Sequence, residues 1–302
     1  MQYRNLTKGF SFACLHNSHS LEDVTAFRPM ETYVLVIKNL FLAAGLSALC
    51  ATGAFAAQCG NNAGGFAAWK QEFAPEAAAV GIGQRGLQAL ASATYSQSTI
   101  NADRNQKGVK YTLDRFIKIR LGSLDSFAAT ARKRKNANAG FFQSLEQKYG
   151  VPSGILLAIH GMETGFGRNM GNTPVIDSIL TVAYDCRRAD FFTPHALAAL
   201  SMVDRGILSP GQRGAAHGEL GHTQFLPGNA LKYGVDATGD GRADFYNQAD
   251  ALASTANFLR AKGWQPGQPY QQGSANFRVL NDWNAATVYQ QAIALSAERI
   301  DR

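Results

Sequence analysis

The chain has 302 residues, of which 46% are hydrophobic and 17% charged, with 30 glycines and 9 prolines. This ordinary globular composition excludes a collagen, a disordered low-complexity chain and a miniprotein held together by disulfides. Lysine and arginine (29 residues) exceed aspartate and glutamate (22), and the formal charge of +7 favours an anionic partner without identifying it.

The first informative segment, residues 33–57, has the pattern of an export signal. Lys38 precedes an apolar run that ends in Ala54-Phe55-Ala56, a small-x-small sequence typical of a cleavage site. We therefore predict a signal peptide over residues 30–57 and a periplasmic protein without a stable membrane anchor. An uncleaved transmembrane helix is the alternative, because the apolar stretch is nearly long enough to span a bilayer.

The predicted signal peptide also divides the rest of the chain into a segment before it and a mature domain after it. Residues 1–29 precede it, and we interpret them as an extension from a translation start assigned too early, since Met30 is the more natural start. The mature domain would cover residues 58–302 and keep two of the four cysteines, Cys59 and Cys186. Two cysteines in an exported protein form a disulfide more often than they stay free, so we predict a bond between them.

Helical periodicity dominates residues 58–302, without sustained strand alternation. We predict helices over 66–79, 112–135, 141–149, 153–163, 175–184, 193–205, 249–262 and 285–300. Turns rich in glycine and proline, such as Ser209-Pro210-Gly211, separate them. A basic run at 132–135 (RKRK) lacks interleaved aromatic residues, so it is typical of a solvated helix end and not of a nucleic-acid site. The sequence predicts a mainly α domain.

Residues 150–172 (GVPSGILLAIHGMETGFGRNMGN) carry the strongest chemical signal. The apolar helix ends in one carboxylate, Glu163. The negative end of the helix dipole and the apolar neighbours Met162 and Phe166 disfavour an ionised carboxylate. An acid that keeps its proton near neutral pH suits the cleavage of a glycosidic bond. A purely structural glutamate is the alternative.

Two later segments add amide and aromatic side chains. Residues 218–227 (GELGHTQFLP) form a glycine-rich turn that contains Gln224, and residues 283–289 (WNAATVY) place Asn284 and Tyr289 around a helix start, directly after Trp283. Amides and aromatic rings are typical of pockets that bind sugars through hydrogen bonds and stacking.

The loop at 236–247 (DATGDGRADFYN) has the spacing of an EF-hand calcium loop, with Gly241 at the turn position 6. The candidate ligand positions 1, 3, 5, 7, 9 and 12 hold Asp236, Thr238, Asp240, Arg242, Asp244 and Asn247. Position 12 is usually a bidentate glutamate, so three carboxylates without it predict weak structural calcium binding, on the order of 10⁻⁴–10⁻³ M. A metal-free turn that leads into the next helix is the equal alternative.

The motifs GMETGFG, CRR, GELGHTQFLP, the DGDG-like loop and WNAATVY occur in the order found in B-type lytic murein transglycosylases. From about Phe66 to its end, the chain resembles that family. The resemblance implies a goose-lysozyme-like catalytic domain with an EF-hand-like loop, which acts on the glycan strands of peptidoglycan. It also implies that Glu163 is the catalytic acid/base. The substrate-binding residues that it implies are Gln224, Asn284, Tyr289, Trp283, Arg187 and Arg188.

The reaction that the resemblance implies needs one carboxylate, whereas an ordinary glycosidase needs two. Glu163 would protonate the oxygen between N-acetylmuramic acid (MurNAc) and N-acetylglucosamine (GlcNAc). The resulting carboxylate would then take the proton of the muramoyl C6 hydroxyl, which closes onto C1. The product is a 1,6-anhydro sugar, and neither water nor a cofactor is required.

Three positions depart from the family pattern. Ala215 stands where a serine often hydrogen-bonds the catalytic carboxylate, and Trp283 replaces a tyrosine. Glu219 replaces a small residue, either as a structural ion-pair partner or as a second carboxylate, which would make the protein a hydrolytic muramidase. A peptidoglycan-binding scaffold without catalysis is the remaining alternative, although the presence of Glu163 opposes it.

Overall fold

The computed structural model describes residues 57–105 and 111–302. The predicted N-terminal extension and all but the last residue of the predicted signal peptide therefore lie outside the described residues. Among the helices that are described, none is both long and apolar enough to cross a bilayer.

The prediction of a mainly α domain is confirmed. The α-helices of the described ranges are α1 (Phe66–Ala79), α2 (Gln84–Ser92), α3 (Gln97–Arg104), α4 (Leu113–Arg120), α5 (Leu124–Ala137), α6 (Ala139–Tyr149), α7 (Ser153–Thr164), α8 (Val175–Tyr184), α9 (Ala189–Asp204), α10 (Pro227–Tyr233), α11 (Gln248–Ala261), α12 (Ala275–Trp283) and α13 (Thr287–Asp301). Two 3-10 helices cover Ala63–Gly65 and Gly221–Thr223. Strand β1 (Thr173–Pro174) pairs antiparallel with β2 (Arg213–Gly214).

The predicted helix over 112–135 is wrong as a single element. It divides into α4 and α5 at Gly122, whose φ of 72° is left-handed, and Ser123 then caps α5 by accepting a hydrogen bond from the Ser126 amide at 3.3 Å. Four helices that the sequence analysis did not predict, α2, α3, α10 and α12, have seven to nine residues each. A helix of about two turns is too short to show a recognisable apolar periodicity in the sequence.

Helix α7 is the centre of the domain. Every residue from Ser153 to Met162 is buried, as expected for a helix that is apolar on all sides. It contacts α5, α6, α11, α13 and the 3-10 helix Gly221–Thr223. The packing is close enough to require glycine: a Cβ atom on Gly154 would lie 2.6 Å from the carbonyl oxygen of Ala297 in α13.

A carboxylate from the end of the chain caps α7. The preceding residue, Pro152, makes no side-chain cap. Instead, Asp301 Oδ1 accepts hydrogen bonds from the Gly154 amide at 3.1 Å and the Ser153 hydroxyl at 3.2 Å, and Lys135 lies 2.7 Å from the same oxygen. A negative charge at a helix N-terminus is stabilising, so α13 and α5 both fix the position of α7.

Cys59 and Cys186 form a disulfide. Beside it, the Gly60 amide donates to the Tyr184 carbonyl at 3.0 Å, and the Cys186 amide donates to the Gly60 carbonyl at 3.1 Å. The segment before α1 is therefore attached to the connection between α8 and α9.

We predict that Gly154→Ala destabilises the domain, because the added methyl group would overlap both the Ala297 carbonyl and the Asp301 carboxylate of α13. Overpacking of this kind costs about 1–3 kcal/mol, and each kcal/mol lowers the melting temperature by about 2–4 °C in a domain of this size. Gly140→Ala in α6 is the matched control, since a Cβ there would have no atom within 4 Å. Equal melting temperatures for the two variants would contradict the packing argument.

Candidate active site

The buried helix α7 delivers Glu163 where the helix stops. Gly165 ends the helix with a left-handed φ of 60° and donates its amide to the Gly161 carbonyl at 2.9 Å. Glu163 precedes this turn by two residues and is half-buried. Its carboxylate thus stands at the negative end of a rigid helix.

Two hydrogen bonds converge on one oxygen of this carboxylate. The indole Nε1 of Trp283 donates to Glu163 Oε1 at 3.1 Å, and the Tyr289 hydroxyl donates to the same Oε1 at 2.8 Å. Trp283 and Tyr289 are each only 3% exposed. Such donors stabilise the ionised carboxylate, in opposition to the helix end and the apolar surroundings.

Helix α4 completes the surroundings of Tyr289. The Phe116 ring packs edge-on against the Tyr289 ring with centroids 5.7 Å apart. Arg120 donates to the Met162 carbonyl at 3.1 Å, and its positive charge lies beside Tyr289. Burial and the adjacent charge of Glu163 raise the pKa of Tyr289 well above 10, so the phenol keeps its proton. The sequence analysis missed Arg120, because no local motif links it to a carboxylate 43 residues later.

Asn284 shapes the connection between α12 and α13. Its side chain is buried, and Oδ1 accepts from the Ala286 amide at 3.0 Å. Its carbonyl accepts from the Gln290 amide side chain at 2.8 Å. Within the described ranges, its Nδ2 has no hydrogen-bond partner. Asn284 therefore fixes the turn between Trp283 and Tyr289 and keeps one unused buried donor.

Gln224 lies in a strained turn beside α7. Its φ of 57° is left-handed, which is uncommon for a residue other than glycine. Its side-chain Nε2 donates to the Gly221 carbonyl at 2.7 Å and to the Met170 carbonyl at 3.3 Å. Backbone strain of this kind persists only where the surroundings enforce it, and it is concentrated at functional sites.

A pair of histidines joins this turn to α7. His160 Nε2 and His222 Nδ1 are 3.0 Å apart, and the Thr164 hydroxyl donates to the His222 carbonyl at 2.7 Å. Burial lowers the pKa of His160 to about 3, so the ring is neutral at physiological pH. The contacts hold the Gln224 turn against the helix that carries Glu163.

A family model described as a Transglycosylase SLT domain matches residues 65–274. The chain belongs to this family. Membrane-bound lytic murein transglycosylase B of Escherichia coli is 37% identical over 123 residues, which is 40% of this chain and 34% of that protein. The alignment thus spans about a third of this relative's length. The predicted family resemblance is confirmed.

Solved structures agree with this assignment. SltB3 of Pseudomonas aeruginosa, in complex with NAG-anhNAM-pentapeptide, is similar with a TM-score of 0.71 and 27% identity over 78% of this chain and 79% of that chain. SLT35 of Escherichia coli, in complex with calcium, has a TM-score of 0.68 and 22% identity over 81% and 96% of the chains, which supports the fold alone. The lysozyme-like fold is confirmed.

Arg187 and Arg188 of the transglycosylase domain lie in a cluster of ion pairs. Both guanidinium groups pair with the buried carboxylate of Asp103 in α3, and Arg187 Nε lies 3.4 Å from Asp185 Oδ1. The Arg187 side chain remains 44% exposed, whereas that of Arg188 is 17% exposed. The two arginines therefore neutralise a buried aspartate, a role that the sequence analysis did not predict because it missed α3.

His217 connects Glu219 to the ion pairs around Asp103. Glu219 Oε2 accepts from the His217 amide at 2.9 Å, and Oε1 lies 3.2 Å from His217 Nδ1. Burial raises the pKa of Glu219, but the hydrogen bond and charge of His217 outweigh it, so the pKa falls below its ordinary value. These contacts match the interpretation of Glu219 as a structural partner.

The EF-hand-like loop is held together by its own backbone. Asp236 Oδ1 accepts from the Gly239 amide at 2.6 Å, and Oδ2 accepts from the Gly241 amide at 2.7 Å. These hydrogen bonds lower the pKa of Asp236, and the bond from the Gly241 amide has the largest effect. Asp250, which the sequence analysis missed, is buried beneath the loop and accepts from the amides of Ala237 and Asp244 at 2.9 Å each.

The oxygen atoms of this loop suit calcium in kind but not in arrangement. Asn247, expected at ligand position 12, instead caps α11 by accepting from the Ala249 amide at 2.8 Å. Across residues 57–105 and 111–302, no group of three His, Cys, Asp or Glu side chains could hold a metal ion. The residues as arranged do not fit a tightly bound ion.

We predict that Glu219→Gln lowers stability but not the capacity for turnover. Because its folded pKa is depressed, the carboxylate of Glu219 stabilises the domain above its unfolded pKa of about 4.3. This stabilisation is lost as the pH falls below that value. At pH 7 the loss of the charged bond should cost about 1–3 kcal/mol, and the difference from wild type should shrink below about pH 4.

Thermal melts from pH 7 to pH 3 measure this difference. Glu298→Gln is the control, since Glu298 pairs with Arg302 on the surface, where an ion pair contributes about 0–1 kcal/mol. Loss of peptidoglycan cleavage in a folded Glu219→Gln protein would instead identify Glu219 as a second catalytic carboxylate.

Proposed function

We propose that this protein is a lytic transglycosylase that cleaves the MurNAc-β-1,4-GlcNAc bond of peptidoglycan and leaves a 1,6-anhydro-MurNAc end. The observation that carries the proposal is a single half-buried carboxylate, Glu163, at the end of the buried helix α7, with two fixed donors on one of its oxygens. A relative is named as a murein transglycosylase, and a similar structure holds an anhydro-muramoyl fragment.

Glu163 performs both proton transfers in this reaction. As the acid, it gives its proton to the glycosidic oxygen while the bond from that oxygen to C1 of MurNAc breaks. As the carboxylate, it then takes the proton of the C6 hydroxyl while the C6 oxygen bonds to C1. Glu163 ends protonated, as it began, and the second carboxylate that a hydrolase needs has no function here.

We infer that the amide side chains of the site bind the sugar rings, whereas the predicted sugar contacts of the buried Trp283 and Tyr289 stay predictions. Asn284 Nδ2 is a buried donor without a described partner, and such a group is costly unless a ligand satisfies it. Gln224 uses its Nε2 to hold the turn, which leaves its side-chain oxygen to accept from an N-acetyl or hydroxyl group. The predicted contacts of Arg187 and Arg188 with glycan or peptide stay predictions, and the exposed part of Arg187 is the better placed of the two.

We further propose that residues 58–302 work as one exported catalytic domain in the periplasm. The Cys59–Cys186 disulfide supports export, because such bonds persist in oxidising compartments. Peptidoglycan, the proposed substrate, lies in the cell envelope. The predicted signal peptide itself stays a prediction.

Mass spectrometry of fragments released from purified sacculi tests the reaction. We expect muropeptides one water lighter than reducing ones, together with no release by Glu163→Gln, which keeps the shape of the side chain but cannot give up a proton. Sacculus binding by Glu163→Gln is the control for an intact groove. Reducing ends would indicate hydrolysis, and binding without release by the wild type would indicate a scaffold.

We infer that calcium binds the loop at 236–247 only weakly. The ion must compete for the Asp236 carboxylate with the backbone amides that already donate hydrogen bonds to it. With a dissociation constant on the order of 1 mM, about 10 mM calcium would stabilise the protein by about 1.4 kcal/mol. We expect a rise of about 3–5 °C in melting temperature, which Asp236→Asn should abolish. An unchanged melting temperature in the wild type would rule out the site.

A further inference from the structure

The two hydrogen bonds to Glu163 fall on the same atom. Trp283 and Tyr289 both donate to Oε1, at 3.1 Å and 2.8 Å. Within the described part of the chain, no hydrogen bond reaches Oε2. The two oxygens of the carboxyl group are therefore in different environments: Oε1 uses both of its acceptor sites, whereas no described residue donates to Oε2.

Neither donor can reverse its role. An indole N–H donates and has no lone pair to accept a proton. The guanidinium of Arg120, which can only donate, lies beside the Tyr289 hydroxyl. The phenol therefore directs its hydrogen away from Arg120 and toward Glu163 Oε1. A proton on Oε1 would face two donors and no acceptor.

Packing prevents both donors from turning away. The Trp283 ring packs at steep angles against the Phe225 and Phe258 rings, each with its centroid 5.4 Å from that of Trp283. Phe116 packs against Tyr289 on its α4 side. The two polar groups are thus fixed in direction before substrate arrives.

We propose that Trp283 and Tyr289 are positioning residues that fix Oε1 of Glu163 as an acceptor, so that Oε2 alone carries the catalytic proton. This inference rests on the proposed transglycosylase function. It assigns to Trp283 a role beyond stacking against a sugar ring.

The proton transfers can then be written by atom. The proton moves from Oε2 to the glycosidic oxygen as the bond between that oxygen and C1 breaks. The same Oε2 later receives the proton of the C6 hydroxyl as the C6 oxygen bonds to C1. Oε1 keeps its two hydrogen bonds throughout, so Glu163 need not rotate between the two steps.

The test is the pH dependence of kcat/KM for Trp283→Phe and Tyr289→Phe, each of which removes one donor and keeps a ring. Both donors favour the ionised carboxylate, so removing either should raise the pH at which Glu163 loses its proton. Because the free enzyme must hold Glu163 protonated, the alkaline limb of the profile should move up by about one pH unit in each variant. NMR titration of isotope-labelled glutamate carboxyls, without substrate, should show the same shift.

Trp264→Phe is the matched control. Trp264 is also buried, but its indole donates to the Gly150 carbonyl at 2.8 Å. Its replacement should lower stability without moving the alkaline limb. If Trp283→Phe does not fold, Tyr289→Phe removes only one oxygen atom and provides the same test.

Folded variants whose titration and alkaline limb match the wild type would overturn the proposal. A shift in Tyr289→Phe alone would overturn the role of Trp283. If the NMR titrations shift as expected but the wild type releases no anhydro product, the proposed function fails while the arrangement of donors around Glu163 stands.

Discussion

The complete burial of α7 is the constraint on which the rest of the structure depends. A helix that is apolar on every side needs neighbours on every side, and α5, α6, α11, α13 and the 3-10 helix Gly221–Thr223 provide them. Gly154 allows α13 to approach α7 closely, and Asp301 then reaches the first turn of α7. The first point at which α7 can present a polar side chain to a ligand is its C-terminal end. Glu163 stands there, so the packing of the core determines where the proposed catalytic carboxylate lies.

The sequence predicts this arrangement in part. The apolar run before Glu163 identifies a buried helix, and the short spacing within 283–289 keeps Trp283, Asn284 and Tyr289 together through one turn. The contacts that complete the site join residues far apart in the sequence, such as Arg120 with Tyr289 and Asp301 with Gly154. No periodicity or motif specifies such pairs. Short helices were missed for a related reason, because their burial comes from tertiary packing and not from a long amphipathic pattern.

Arg187 and Arg188 illustrate a limit of assigning charged residues to ligands by sequence alone. An arginine after a cysteine motif suggests an anionic ligand. A buried carboxylate elsewhere in the chain, however, needs a positive charge beside it before the protein can fold stably. Asp103 is buried, and an uncompensated charge there would be strongly destabilising. Both arginines pair with it, so their first role is to make the burial of α3 possible. Any contact with glycan must use what remains exposed, chiefly on Arg187.

An enzyme with two catalytic carboxylates can separate acid from base by placing each residue in its own environment. With a single carboxylate the same separation has to occur within one functional group. Around Glu163, Oε1 accepts from Trp283 and Tyr289, whereas Oε2 is left without a described partner. In the proposed reaction, the donors would stabilise the anion left by the first proton transfer, and the helix end and apolar neighbours would favour the acid that begins it. A carboxyl group in this arrangement can give up a proton and recover it at one oxygen, which is what the proposed cleavage without water requires.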